Sequence, residues 1–144
     1  MHVPNYQINK VVICLGSNVE ARSECVNVAL EWLRNILTDV MASQCYQTDD
    51  IKGSGRVYAN MVVCGMTELT YSELEQSLKK HEMESGRTAE ARKNGDVPLD
   101  MDIVIWNDSV IRHKDVSCDF FIIGASQIGC MPVNSETDKL MITK

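Results

Sequence analysis

The run "VPLDMDIVIW", residues 97–106, constrains this chain more than any other stretch. Strand side chains alternate between faces, so Asp100 and Asp102 share one side while Leu99, Met101, Ile103 and Ile105 take the other. The chain must therefore build a sheet with one thoroughly apolar face and, opposite, a place that tolerates two neighbouring carboxylates. A half-buried strand whose outer face begins wet meets that requirement. So does a divalent-metal platform, since paired anionic oxygens are the hard ligands Mg²⁺ prefers. Spacing alone leaves both readings open.

The elements around that strand follow from turn formers and periodicity. "KVVICLGSN" reads as a strand ending in a Gly-Ser-Asn turn. From Ser23 to Leu37, Val26, Ala29, Leu30, Leu33, Ile36 and Leu37 recur at helical spacing. Residues 40–48 read as one strand, 49–56 as a loop rich in turn formers, and 57–66 as another strand. Thr70 or Ser72, each with a glutamate three residues on, caps a second helix that stops near Gly86. A polar loop at 86–98 leads into the aspartate-bearing strand, "SVI" forms a brief edge strand, and "DFFIIGASQIG" a short helix or turn. The order is βαββαβ, which predicts an α+β, ferredoxin-like sandwich with a C-terminal extension. We expect one domain over residues 1–144, with a core at 9–128 and a polar tail at 129–144.

Composition narrows the partners. A net charge of −6 argues against nucleic acid, and no apolar run approaches the roughly 20 residues of a membrane span. The six cysteines form no CxxC pair, which predicts buried free thiols in a reducing compartment rather than a zinc site or disulfide framework. "MHVPNYQINK" lacks a signal-peptide core, so a cytoplasmic location is expected. Nothing in the sequence bears on oligomeric state.

Three further groups carry chemistry. Glu82 continues the helical face of Leu74 and Leu78 at a helix C-terminus, where a carboxylate opposes the helix dipole. It is either in water at a frayed turn or an acceptor for a polar ligand such as a heterocycle with adjacent N–H groups. Tyr58 and Asn60 share a strand face, which suits stacking and edge recognition of a flat heterocycle, or simply a core tyrosine beside a strand-end amide. Gly16-Ser17-Asn18 is a turn or a phosphate contact, without the spacing of a P-loop.

Taken jointly, "VVICLGSN", "SQCYQTDDI", "VYANMVV", "EMESGR" and "PLDMDIVIWND" resemble, in order and interval, the 6-hydroxymethyl-7,8-dihydropterin pyrophosphokinases of folate biosynthesis. The resemblance covers roughly residues 10–128. It implies transfer of the terminal pyrophosphate of ATP to a pterin hydroxymethyl group, releasing AMP. By position, Asp100 and Asp102 would hold two Mg²⁺ ions against the ATP phosphates, with Arg87 in the loop that covers the site. The pterin pocket would draw on Gly16, Ser17, Asn18, Thr48, Ile51, Tyr58, Asn60, Glu82 and Phe121.

The same resemblance exposes losses. Arginines and a tryptophan that the family carries in this loop are Ala89, Val97 and Asn94 here, with Asp96 for the usual proline. A histidine and an arginine that follow the metal strand are missing from the shortened "DVSCDFFII". Lys93, Arg112 and His113 are the candidate replacements toward the nucleotide. With fewer phosphate anchors, the 86–98 loop is expected to be mobile. The principal reading is the active enzyme; the alternative is a weakened or non-catalytic pterin- and nucleotide-binding homologue.

Overall fold

One central strand organises the sheet. In the computed structural model, which describes residues 7–132, β1 (Asn9–Ser17) lies between β4 (Val57–Thr67) and β5 (Asp100–Trp106), antiparallel to both. β2 (Thr38–Ala42) and β3 (Tyr46–Asp49) both pair with β4, and β6 (Ser109–Val110) pairs with β5. The strand order β2-β4-β1-β5-β6, with helices α1 (Arg22–Ile36) and α2 (Tyr71–Glu84) in the crossovers, is the expected α+β, ferredoxin-like arrangement. α2 opens on Thr70, whose hydroxyl accepts from the Glu73 N–H while the Glu73 carboxylate accepts from the Thr70 N–H.

Several boundaries differ from expectation. The single strand at 40–48 is two strands. Ser43 Oγ accepts the Val62 N–H at 3.0 Å, a bond the main chain would otherwise take, and the chain turns away there before β3 begins. The 86–98 loop contains a short helix, α3 (Ala89–Lys93), capped by Thr88. Ile105 does not join Leu99, Met101 and Ile103. The pairing of β1 with β5 shifts at Val12 and Ile13, so Val104 is an extra residue, and Val104 and Ile105 both pack on the opposite face. The "DFFIIGASQIG" segment is a helix, α4 (Asp119–Gln127). Residues 129–132 apart, the C-terminal tail lies outside the described residues.

The two faces of the sheet are covered unequally, and this creates the site. On one, Val11, Ile13, Leu15, Met61, Val63 and Met101 pack against Val26 and Leu33 of α1 and Leu74 and Leu78 of α2. On the other, α4 covers Val12, Cys14, Val62, Cys64 and Val104 with Phe121 and Ala125. Gly124 lets α4 approach closely: a Cβ there would sit 2.6 Å from Val62 Cγ2 and 2.7 Å from the Tyr46 hydroxyl. α4 stops short of the other end of that face, where Gly16, Tyr58, Asn60, Asp100 and Asp102 line an open cleft. The six cysteines are unpaired; Cys14, Cys64 and Cys130 are buried and the rest half-buried.

Candidate active site

Register brings the polar residues together. Asp100 pairs with Gly16 and Asp102 with Cys14 across β5 and β1, while Gly16 pairs with Asn60 and Thr48 with Tyr58 across the next ladders. The strand alternation that drives their neighbours into the core turns these side chains into one cleft of about 270 Å³. Gly16, Thr48, Ile51, Tyr58, Asn60, Arg87, Asp100, Asp102 and Arg112 line it. A wider hollow of about 710 Å³ adjoins it past Ile51 and Phe120.

The aspartates are held in a buried ion network. Arg87 Nη1 donates to Asp100 Oδ1 at 2.7 Å and to Glu82 Oε1 at 2.5 Å. Lys79 Nζ donates to Glu82 Oε2 at 2.8 Å, to Asp102 Oδ1 at 3.3 Å and to the Met101 carbonyl at 3.2 Å. Burial, then the hydrogen bond and charge of Asp100, pushes Asp102 up to about 7. Burial pushes Asp100 the same way, but the hydrogen bonds with Asp102 and Arg87 prevail and hold it below the ordinary carboxylate range. The pair thus shares one proton near neutrality, a like-charge conflict that a bound cation would relieve.

Three expectations for the pterin side are corrected. Glu82 is 2% exposed and does not line the cleft. Its oxygens are engaged by Arg87, Lys79 and the Met101 N–H, so it anchors the cations behind the aspartates and is not free to accept from a heterocycle. Phe121 is fully buried under α4. The ring on the cleft is that of Phe120, one residue earlier and so about 100° round the helix. Ser17 is also buried, its hydroxyl without a partner among the described residues, and does not line the cleft.

The remaining candidates divide. Asn60 donates from Nδ2 to Thr48 Oγ1 at 2.6 Å, which fixes the amide at the cleft wall. Asn18 donates to the Gly95 carbonyl and, at 3.4 Å, to the Tyr58 hydroxyl, and accepts the Val97 N–H at 2.6 Å. It straps the 86–98 segment to the end of β1. Arg56 adds to the strap, donating to the Asp96 carboxylate and to the Asn94 and Gly95 carbonyls. Lys93 and His113 are exposed and outside the cleft; Arg112 lines it. Lys79, three residues before Glu82, was legible as its ion-pair partner; Arg56, which meets Asp96 only through loop packing, gave no such signal.

Residues 12–128 match the family model described as 7,8-dihydro-6-hydroxymethylpterin-pyrophosphokinase. The chain belongs to this family. Among the relatives of this pterin pyrophosphokinase family member, a folate synthesis bifunctional protein of Arabidopsis thaliana is 34% identical over 110 residues, 75% of this chain and 22% of that protein. A 2-amino-4-hydroxy-6-hydroxymethyldihydropteridine pyrophosphokinase of Aquifex aeolicus (strain VF5) is 35% identical over 106 residues, 72% of this chain and 65% of that protein. The chain spans less than two thirds of the length of either relative.

Pterin pyrophosphokinases work with ATP and Mg²⁺. The donor chemistry of this cleft suits that ion. Arg87 contacts Asp100 and Lys79 contacts Asp102 through Oδ1, which leaves one hard carboxylate oxygen of each cleft-lining aspartate outside those contacts. No cluster of three or more histidine, cysteine, aspartate or glutamate side chains that could hold a metal ion occurs among the described residues.

Proposed function

We propose that this chain transfers pyrophosphate from ATP to 6-hydroxymethyl-7,8-dihydropterin, with two Mg²⁺ ions held at Asp100 and Asp102. The observation that carries this reading is the convergence, in one cleft, of that carboxylate pair with Tyr58, Asn60, Thr48 and Phe120. The aromatic side chains offer stacking surfaces to a flat ring, and the Asn60 amide offers its edge to a polar heterocycle.

In the reaction, the hydroxymethyl oxygen forms a bond to the β-phosphorus of ATP. The bridge to the α-phosphate breaks, its electron pair leaves on AMP, and the hydroxyl proton passes to the medium. Bound Mg²⁺ would neutralise charge on the polyphosphate. Asp100 and Asp102 would hold the ions at the cleft floor, and Glu82 holds Arg87 and Lys79 in place behind them. The Asn18 and Arg56 contacts keep residues 94–97 at the rim of the cleft, where they help to exclude water.

Incubation with ATP, Mg²⁺ and hydroxymethyldihydropterin tests the reading directly. AMP and the pterin pyrophosphate are expected in equal amounts. Pterin and ATP binding without AMP would favour the non-catalytic homologue instead.

A further inference from the structure

A third cation reaches the carboxylate pair, from the side away from α2. Arg112 follows β6, and its side chain lines the cleft. Its Nε donates to Asp115 Oδ2 at 2.5 Å, and its Nη1 stands 3.9 Å from Asp102 Oδ1. Asp115 begins a one-turn 3-10 helix, Asp115–Ser117, and is 9% exposed. A nearly buried carboxylate therefore grips one edge of the guanidinium. Neither Nη has a hydrogen bond among the described residues, and Nη1 lies on the Asp102 side.

The two other cations on the carboxylate pair are spent differently. Arg87 is shared between Glu82 and Asp100, and Lys79 among Glu82, Asp102 and a main-chain carbonyl. Each closes an internal ion pair. Arg112 closes one tight pair, with Asp115, and stands off Asp102 at 3.9 Å, with 47% of its side chain open to solvent. A planar guanidinium can give one edge to a carboxylate and the other to a phosphate, a division that an ammonium point charge cannot reproduce.

Resting on the phosphoryl-transfer reading above, we propose that Arg112 contacts the phosphate oxygens of the group being transferred and that Asp115 is its positioning residue. The contact point lies beside the Asp100–Asp102 pair, where charge accumulates as the α–β bridge breaks. Arg112 thereby supplies phosphate contact from a place other than Ala89 and Val97, held there by Asp115, the first residue of the shortened segment after β6. Lys93 and His113, outside the cleft, take no part.

Calorimetric titration with inorganic tripolyphosphate in Mg²⁺, paired with titration by hydroxymethyldihydropterin, tests this. Arg112→Gln should weaken tripolyphosphate binding roughly ten- to a hundredfold, the range of a lost charged hydrogen bond, and leave pterin binding unchanged. Arg112→Lys, which keeps the charge but not the fork, should stay well below wild type. In AMP formation, Asp115→Asn should lower kcat more than it raises KM for ATP. Added guanidinium ion should restore turnover to Arg112→Ala but not to Asp115→Asn. Thermal melts of each variant separate these effects from unfolding. Unchanged tripolyphosphate affinity in Arg112→Gln, or an equal loss of pterin affinity, overturns the proposal. If the wild type makes no AMP yet the Arg112→Gln loss persists, the anion contact stands and the transfer reaction falls.

Discussion

Asp102 titrates in a different range from an ordinary aspartate, and that has a consequence for stability. Its carboxyl is raised to about 7 by burial and by Asp100. The folded state therefore binds more protons than the unfolded chain between the ordinary carboxylate value of about 4 and this raised one. The contribution to stability is present at the acidic end of that window and is lost as pH rises through it. Melting of the ligand-free protein from about pH 4 to 8 should reveal that decline, and Asp102→Asn should flatten it. Equal slopes in the two proteins would mean that the aspartates do not share a proton. Glu82 carries a separate liability. Glu82→Gln keeps the shape but strips charge from the group that three donors converge on, and should cost about 1–3 kcal/mol in the urea midpoint. A variant as stable as wild type would show that Arg87 and Lys79 do not depend on it.

Among the elements, the 86–98 segment departs furthest from the sequence reading. Few phosphate anchors led to an expectation of mobility, yet the segment carries its own tether. Arg56, from the loop before β4, makes three hydrogen bonds to residues 94–96, one of them to Asp96, where the family usually has proline. Asn18 makes two more, to Gly95 and Val97. The tether is exposed enough to be worth little in global stability but enough to hold a loop. Arg56→Ala should speed hydrogen exchange of the amides at 94–97 while leaving the β1 and β4 amides unchanged, as befits local opening. Unaltered exchange at 94–97 would assign the hold to Asn18 and α3 alone.

For the whole molecule, the functional test is linkage between metal and nucleotide. If Asp100 and Asp102 carry the ions, ATP binds more weakly in chelator, and Asp100→Asn combined with Asp102→Asn removes the difference because each amide keeps the shape without the anionic oxygen. Titrations of wild type that coincide with and without Mg²⁺ would exclude the pair as a metal platform. The sequence by itself determined the succession of the main strands and helices, a cap at Thr70 or Ser72 and the shared face of Asp100 with Asp102, because periodicity and capping act between residues close in the chain. It also carried the family resemblance, because the motifs stand at set intervals. Tertiary structure alone decided the rest. The bulge at Val104 redirected Ile105, since register depends on the partner strand. Packing of α4 chose Phe120 over Phe121 for the cleft, since helix phase is set by what the helix rests on. Glu82 became an anchor because β5 delivers the Met101 N–H to it from 19 residues away, and Asp100 to its partner Arg87 from 13. A buried carboxylate takes its role from the donors that the fold brings within reach, and no local rule of sequence names them.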